Sequence, residues 1–407
     1  MGSRLRGNDS RGNFRNARFT KESSMKPIAI CQYLFTAIAV AVTLIGCAAY
    51  PIGKLSIAEQ GYFFAGGKYV TNKAGQQIRV NQMYVQYQIP ADRKHPYPVV
   101  MWHGGGQTGT NFMGTPDGRE GWGDYFLKQG YAVYIVDQPG RARSGFFAEV
   151  YGRTRTPATK YMSDRFTAPK GANLYPQSQL HTQWPGTGVS GDPTFDQFFS
   201  SQVEDIADVN IIEQLNREAG VALLDKIGPA ILLTHSQSGP FGWVLANDRP
   251  KLVKGILAIE PNGPPLYETA YAPAPELYKD GSLGRGWGIT RGAVNFQPAA
   301  ASAKDLGMVQ QPTPDAPTLV RCWLQPEPAR QLPNLKGTPI LILVSEASYH
   351  SPYDHCTAKF LNQAGVANHF VRLPSIGIHG NGHMMMLEKN NLDIASFLTK
   401  WAGDNIR

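Results

Sequence analysis

The amino-acid sequence predicts an α/β protein with a mostly parallel, doubly wound sheet, antiparallel strands at its N-terminal edge and a cap insertion. Short, almost wholly apolar runs alternate with helical patterns, as expected for strands that are buried on both faces of a parallel sheet. The 407 residues are 42% hydrophobic, which is enough to bury a large core and excludes wholesale disorder. The 43 glycines and 30 prolines follow no period, so collagen is excluded and a loop-rich enzyme is favoured.

The strands and helices are predicted in chain order from these patterns. Residues 61–90 alternate polar and apolar side chains around Gly and Asn turns, which indicates antiparallel edge strands. Apolar runs predict buried strands at 98–102, 131–136, 230–233, 255–259 and 339–344. A shorter run at 369–373 predicts the last strand. Helical patterns lie at 122–129, 202–218, 240–247, 355–364 and 389–402.

Two long stretches interrupt this alternation. Residues 141–200 are rich in aromatic residues, Gly and Pro, and residues 262–337 hold many Pro and Gly. Because long loops in a compact domain usually carry function, we interpret 141–200 as a cap over the site and 262–337 as a second insertion. The aromatic residues of the cap point to an apolar or aromatic group in the substrate, and packing of the cap onto its domain is the alternative explanation.

The N-terminus has the pattern of a targeting signal. Residues 1–24 are polar and Arg-rich, and we interpret them as disordered or as sequence upstream of a true start at Met25. A positive residue, a long apolar stretch and small residues then make 25–47 a secretory signal. Its end resembles a bacterial lipobox with Cys47 as the lipidated residue. Cleavage near Ala48 and an uncleaved membrane anchor are the alternatives. The sequence thus predicts an exported protein, either a periplasmic or outer-membrane lipoprotein or a secreted one.

Charge and cysteine usage exclude several classes of partner. Of the net charge of +8, residues 1–46 supply +5 from seven basic and two acidic side chains, and the remaining chain carries only +3. No basic stripe with interleaved aromatics occurs there, so we expect no nucleic-acid partner. Cys322 and Cys356 remain after the signal and either pair or stay as buried thiols. No Cys-x-x-Cys motif and no Cys/His pair at metal-ligand spacing occurs, so we expect no metal or cofactor.

The segment around Ser236 has the pattern of a nucleophile elbow. A buried strand ends in a tight turn that bears the serine and leads into a helix, which exposes a nucleophile above the sheet. Small residues are needed two positions before and after it, and Thr234 and Ser238 stand there. Ser238 is the alternative nucleophile. The residue two positions after it would be Pro240, which fits a tight turn less easily. A polar strand end with a helix cap is the alternative.

A glycine loop follows the strand at 98–102. It contains His103-Gly104-Gly105-Gly106, and backbone N–H groups in such a loop can converge on the oxyanion formed in acyl transfer. We expect the N–H groups of Gly105 and Gln237 to be these donors. A close-packing turn and a phosphate loop are the alternatives, but the Lys-Ser/Thr of a phosphate loop is missing.

An acid and a histidine follow the serine in chain order. Glu260 comes directly after the strand at 255–259, with Glu346 and Asp354 as rivals that spacing alone does not separate. His383 lies in a glycine loop after the last strand, where a general base would be delivered. His379 is the alternative base, or it braces the loop. The order serine, acid, histidine is that of α/β hydrolases.

With these motifs, the chain resembles the α/β hydrolases of the small bacterial esterase 713 group. The matching segments span about residues 60–400: Gly61-Tyr62-Phe63, His103-Gly104-x-x-x-Thr108-Gly109, Thr115-Pro116-Asp117-Gly118-Arg119, Asp137-Gln138-x-Gly140-Arg141-x-Arg143-Ser144, His235-Ser236-Gln237-Ser238-Gly239, Glu260-Pro261 and His379-Gly380-Asn381-x-His383-Met384-Met385-Met386.

The resemblance implies an α/β-hydrolase domain over 48–407, with Ser236 as nucleophile, Glu260 as acid and His383 as base. The family places its acid after the sixth strand, which implies Glu260 rather than Glu346. One departure is that Gly105 and Gly106 stand where the family carries two adjacent cysteines. A disulfide between adjacent cysteines would stiffen the oxyanion loop, whereas two glycines leave it flexible, and its backbone donors remain.

The predicted function is an exported serine esterase that hydrolyses small carboxylic esters through an acyl-enzyme intermediate. An amidase, thioesterase or acyltransferase would use the same residues. A non-catalytic ligand-binding lipoprotein with this fold is a further alternative, because fold alone does not guarantee function. We expect membrane contact only through an N-terminal lipid anchor.

Overall fold

The computed structural model describes residues 54–407, so the predicted segments 1–24 and 25–47 lie outside the described residues. An eight-stranded sheet dominates it. Its strands are β1 (Ile57–Thr71), β2 (Gln77–Pro90), β3 (Val99–Trp102), β4 (Val133–Asp137), β5 (Ala230–His235), β6 (Val253–Ile259), β7 (Ile340–Val344) and β8 (His369–Arg372).

The order of the strands across the sheet is β1-β2-β4-β3-β5-β6-β7-β8. β2 pairs antiparallel with β1 and β4, and all other neighbours are parallel. The predicted mostly parallel sheet with N-terminal antiparallel strands is therefore confirmed. All parallel strands from β3 to β8 end at the same edge, which brings together the loops after β3, β5, β6 and β7.

Helices cover both faces of the sheet. The larger ones are α1 (Trp122–Lys128), α2 (Pro193–Ser200), α3 (Val209–Ile227), α4 (Gly239–Asp248), α5 (Asp354–Gln363) and α6 (Asn391–Asn405). Alternate residues of a strand point to opposite faces. Val100 and Trp102 accordingly join the apolar cluster formed with α3, α4 and α5, whereas Val99 and Met101 join the one formed with α1 and α6.

One predicted helix is displaced along the chain. The helix expected at 202–218 runs instead from Val209 to Ile227, because Asp208 caps its first turn by accepting from the Asn210 N–H. It ends where Gly228 takes a positive φ of 82°.

The two insertions consist of short elements. The first contains helical turns and one strand that pairs with 205–206, at Ala142–Ser144, Ala148–Tyr151, Thr154–Arg155, Thr159–Met162, Ser163–Thr167, Pro169–Ala172 and Pro176–Leu180. The second contains two short ribbons and 3₁₀ turns, Leu266–Ala270 with Lys279–Arg285, Val309–Gln310 with Trp323–Leu324, Pro275–Leu277, Ala303–Leu306 and Pro333–Leu335. Further 3₁₀ turns lie at Gly109–Phe112, Ser236–Ser238 and Leu373–Ile376, and the Asp205–Ile206 strand completes the set.

A disulfide joins the second insertion to helix α5. Cys322 and Cys356 are bonded, with Cα atoms 5.2 Å apart, so the pairing alternative is the one the structure adopts. Both cysteines are fully buried and pack with Tyr353. The bridge closes a loop whose ends are 34 residues apart, which restricts the unfolded chain.

Replacing both cysteines by serine should lower the unfolding free energy by about 2–4 kcal/mol, because the unfolded chain regains the freedom that the bridge removes. Denaturant unfolding of the double variant and the parent protein measures the difference. A thiol reductant should lower the stability of the parent and leave the variant unchanged. Equal stability of the two proteins without reductant would contradict the prediction.

Candidate active site

Ser236 lies at a strained turn between β5 and α4. Its backbone is in the left-handed region, with φ of 55°, which costs a non-glycine residue of the order of 1–3 kcal/mol. The Asn262 N–H donates to the Ser236 carbonyl at 2.9 Å. Gly239 makes the turn possible, because a Cβ at that position would lie 2.5 Å from Cα of Pro261. The geometry is that of a nucleophile elbow.

The rival serine, Ser238, has a different environment. It is fully buried, and its hydroxyl accepts from the His235 N–H at 2.8 Å and lies 2.9 Å from the carbonyl oxygens of Trp102 and His235. Ser238 thus stabilises the turn, while Ser236 faces a cavity.

The glycine loop after β3 lies against this serine. A Cβ on Gly104 would approach Cβ of Ser236 to 3.1 Å, so only glycine fits without displacement. Gly105 and Gln237 both border the cavity next to Ser236. Gln237 is the second residue of a 3₁₀ turn, where the N–H has no acceptor within the turn.

Side chains brace the loop at which the family resemblance places two cysteines. The buried Arg141 donates to the Gly104 carbonyl at 2.9 Å and to Oε1 of Gln237 at 3.1 Å. On the other side, Oε1 of Gln107 accepts from the Gly104 N–H at 3.2 Å. His103 Nδ1 adds a contact to the Gly104 carbonyl at 2.9 Å. A guanidinium therefore ties the two predicted oxyanion segments together.

His383 and Glu260 form a buried pair at the same edge of the sheet. Nδ1 of His383 lies 2.5 Å from Oε2 of Glu260, and both side chains are inaccessible to solvent. A carboxylate only accepts, so the Nδ1–H donates and Nε2 is left as an acceptor. His235, next to the serine, fixes the backbone of this loop through its Nε2, 3.0 Å from the His383 carbonyl.

Two serines after β7 compensate the burial of Glu260. Its Oε1 accepts from the N–H of Ser345 at 2.8 Å and from the hydroxyl at 2.5 Å, and Oε2 accepts from the Ser348 hydroxyl at 2.6 Å. Burial raises the pKa of Glu260, and these hydrogen bonds oppose it. Burial also lowers the pKa of His383 well below its usual value, with His350 and Arg165 adding to the shift, so the imidazole is neutral at neutral pH.

The other predicted acids and the other histidine lie elsewhere. Glu346 accepts from the Gly380 N–H at 2.8 Å and contacts Nδ1 of His379 at 3.3 Å. His379 is exposed, so this pair supports the loop, as the bracing alternative expected. Asp354 pairs with His350 at 3.0 Å in the interior. Neither acid contacts His383.

Tyr349 is a site residue that the sequence patterns did not indicate. Its hydroxyl lies 3.3 Å from Nε2 of His383 and occupies the position expected for the serine hydroxyl. Burial raises the pKa of Tyr349, and the nearby Arg165 and Ser236 oppose this shift. Within residues 54–407 no hydrogen bond links Ser236 directly to His383. The polar run after β7, from Ser345 to His350, is the signal that could have drawn attention to it.

A buried carboxylate organises the histidine loop. Glu388 accepts from the Gly382 N–H at 2.9 Å, from the Asn381 amide at 2.8 Å and lies 2.7 Å from Nε2 of His181 of the cap. Arg119 donates to the carbonyl oxygens of residues 387–389 at 2.9–3.0 Å. The matching Thr115–Arg119 and His379–Met386 segments are thus in contact.

A cavity of about 720 Å³ opens above Ser236. The cap contributes Tyr161, Arg165 and Phe166, and the second insertion contributes Glu268 and Tyr271. Most aromatic residues of the cap lie away from it. Tyr151, Trp184, Phe195 and Phe198 are buried, which favours the packing explanation for them.

Two groups of potential metal ligands occur among residues 54–407. Cys322, Cys356 and His355 form one, but its cysteines are consumed by the disulfide. Glu260, His350 and His383 form the other, and its histidines already pair with carboxylates. Neither group has a free set of donors. No helix in the same range has the length and hydropathy to cross a membrane.

A serine at a left-handed strand–helix turn, a glycine loop beside it and a buried Glu–His pair define the α/β-hydrolase class of fold and site. The chain belongs to the alpha/beta hydrolase family, whose model, described as "Alpha/beta hydrolase family", matches residues 99–396.

Two relatives cover most of the chain. A protein of Fungal sp. (strain ATCC 74256), named "Probable secreted lipase phiG", is 45% identical over 341 residues, which are 84% of this chain and 88% of that protein. A solved structure described as "The Atomic Resolution Structure of a Novel Bacterial Esterase" has a TM-score of 0.58 and 26% identity, over 87% of this chain and 98% of that chain. The resemblance inferred from the motifs is confirmed.

The buried His103 should make stability depend on pH. Burial and the neighbouring Arg141 lower its pKa to about 4, with Asp137 opposing and Arg143 reinforcing, whereas the unfolded residue has its usual pKa of 6.5. The unfolded chain then binds more protons between pH 6.5 and pH 4, so stability is lost as pH falls through that range. From pH 7 to pH 5 His103 alone should lower the unfolding free energy by about 2 kcal/mol.

Urea unfolding at pH 7 and pH 5 measures this loss, and His103→Asn should reduce it by that amount. The exposed His379 offers a matched control, because His379→Asn should keep the pH dependence of the parent protein. An unchanged dependence in His103→Asn would count against the assignment.

Proposed function

We propose that the protein is an exported serine hydrolase of carboxylic esters. The observation that carries this is Ser236 at its strained turn, facing a cavity, with the buried His383–Glu260 pair at the same sheet edge. The names of the two relatives, a lipase and an esterase, support ester substrates. The N-terminal pattern and the "secreted" name of the fungal relative support export, and Cys47 would carry the lipid if a lipoprotein is made.

In this mechanism His383 acts as general base. Nε2 accepts the proton of Ser236 while the serine oxygen attacks the ester carbonyl, and it then donates that proton to the departing alcohol. Glu260 holds the imidazole in the required tautomer and stabilises its cation. Water, deprotonated by His383, attacks the acyl-serine and releases the acid and the free serine.

The N–H groups of Gly105 and Gln237 are the proposed oxyanion donors. Arg141 holds both segments, so the donors are positioned before the negative charge develops. This arrangement replaces the rigidity that two adjacent cysteines would supply. Removing one such donor typically costs on the order of 10²–10³ in rate.

Ser236→Ala and Glu260→Gln should each lower kcat/KM for 4-nitrophenyl butyrate, by about 10⁴ or more for the serine, because the nucleophile or the orienting carboxylate is lost. Glu346→Gln is the matched control and should keep parental activity, since Glu346 contacts only the outer loop. Labelling by a fluorophosphonate should depend on Ser236.

Ester hydrolysis that survives Ser236→Ala would contradict the proposal. A parent protein that hydrolyses no ester and takes up no fluorophosphonate would favour the ligand-binding alternative. Matched ester, amide and thioester substrates, with and without an alcohol acceptor, distinguish the esterase from the amidase, thioesterase and acyltransferase alternatives.

Tyr349→Phe should keep kcat within about threefold of the parent value. The Tyr349 hydroxyl contacts Nε2 of His383 and must move away before that nitrogen can accept the serine proton. Removing the hydroxyl therefore removes no group that the proposed mechanism uses. Steady-state kinetics measure this. A loss of 10² or more would instead make the phenol a participant in proton transfer.

A further inference from the structure

The cavity above Ser236 has an excess of positive charge. Asp205 is shared by two arginines, at 3.2 Å from Arg141 and 2.9 Å from Arg155. Glu268 is likewise shared, at 2.9 Å from Arg285 and 3.6 Å from Arg291. Of these four arginines only Arg155 and Arg291 border the cavity, as both acids do, so these lining charges balance.

Arg165 adds a cation that no acid balances. It lies in the cap turn Ser163–Thr167 and borders the cavity. Its guanidinium carbon lies 5.0 Å from the Tyr161 ring, 5.8 Å from Tyr271 and 5.3 Å from Tyr349. Among residues 54–407 it forms no ion pair. The rings hold the guanidinium in place by cation–π attraction and leave its N–H donors for a ligand.

The position of Arg165 connects it to the reacting groups. Tyr349 contacts both the guanidinium and Nε2 of His383, so the cation lies one side chain away from the proposed base. A planar guanidinium with free donors matches a carboxylate through two parallel hydrogen bonds. A substrate carboxylate bound there would also reduce the electrostatic repulsion between Arg165 and the His383 imidazole when that imidazole is protonated.

We propose that Arg165 binds a free carboxylate on the substrate, so that the preferred esters are monoanions in which the carboxylate lies on the acyl or the alcohol part. This rests on the proposed esterase function and names its substrate class. The aromatic rings around Arg165 would then pack against the apolar linker between the carboxylate and the ester. Because the other charges that border the cavity balance, Arg165 gives it a net positive charge, which favours entry of an anion.

Matched substrates test the proposal on the full chain. Mono-4-nitrophenyl adipate is compared with its terminal carboxamide, and 4-acetoxyphenylacetate with 4-acetoxyphenylacetamide, after subtraction of the rates without protein. In at least one pair the carboxylate should have a kcat/KM roughly ten- to hundredfold higher, mainly through a lower KM, because a charge-assisted hydrogen bond is made.

Variants of Arg165 should then remove this preference. Arg165→Gln should bring the ratio of kcat/KM for carboxylate over carboxamide close to one. Arg165→Lys should retain part of the preference, because the charge remains but the two parallel N–H donors of the guanidinium are lost. The ratio is measured within each variant, so a change in folded fraction cancels. Arg153→Gln removes a charge from an exposed cap side chain that does not border the cavity, and should keep the parental ratio.

Three results would overturn the inference, and they are distinguishable. Equal kcat/KM in both pairs, with hydrolysis that still depends on Ser236, would reject the carboxylate and leave the proposed esterase intact. A preference that survives in Arg165→Gln would place the anion elsewhere. Absence of any hydrolysis dependent on Ser236 would remove the proposed function and the inference with it.

Discussion

The buried contact between Glu260 and His383 is the interaction on which the rest of the site depends. Removing a carboxylate from water is costly unless every acceptor position is filled. Here the donors come from two separate parts of the chain, the loop after β7 and the histidine loop, and both reach the acid after β6. The doubly wound sheet makes this possible, because its parallel strands end side by side. The pair could not form if any one of these loops were displaced.

The need to hold these loops in place also explains the residues that surround the Glu260–His383 pair. Glu388 fixes Gly382, directly before His383, and His235 fixes the carbonyl of His383 itself. Arg141 holds the glycine loop to Gln237 on the other side of the nucleophile. Two residues in the left-handed region, Ser236 and Glu260, occur within this framework. Backbone strain of this kind persists only where the surrounding contacts determine the conformation.

Much of the fold and part of the site were predictable from sequence, for a local reason. Buried strands and the tight turn around Ser236 leave their mark within a few consecutive residues, so period and composition were sufficient. The choice between Glu260 and Glu346 was not local, because both follow a buried strand of the same sheet. Only the family resemblance favoured Glu260, and the structure separates the two acids by their contacts. Arg165 gave no local signal, Arg141 was only one residue of a matching segment, and Tyr349 was marked only by the polar run after β7. The roles of all three arise from contacts between distant segments.

The character of the cavity could not be inferred from composition either. The net charge of +8 lies mostly near the N-terminus, which argued for a nearly neutral mature chain. The positive charge of the cavity comes instead from Arg165, because the other arginines that border it, Arg155 and Arg291, pair with acids of the same lining. Aromatic residues of the cap suggested an apolar ligand, but the cap buries most of them in its own packing and turns Tyr161 toward a guanidinium. A cap can therefore be aromatic in sequence and cationic where it meets the substrate, since packing and recognition draw on different subsets of its side chains.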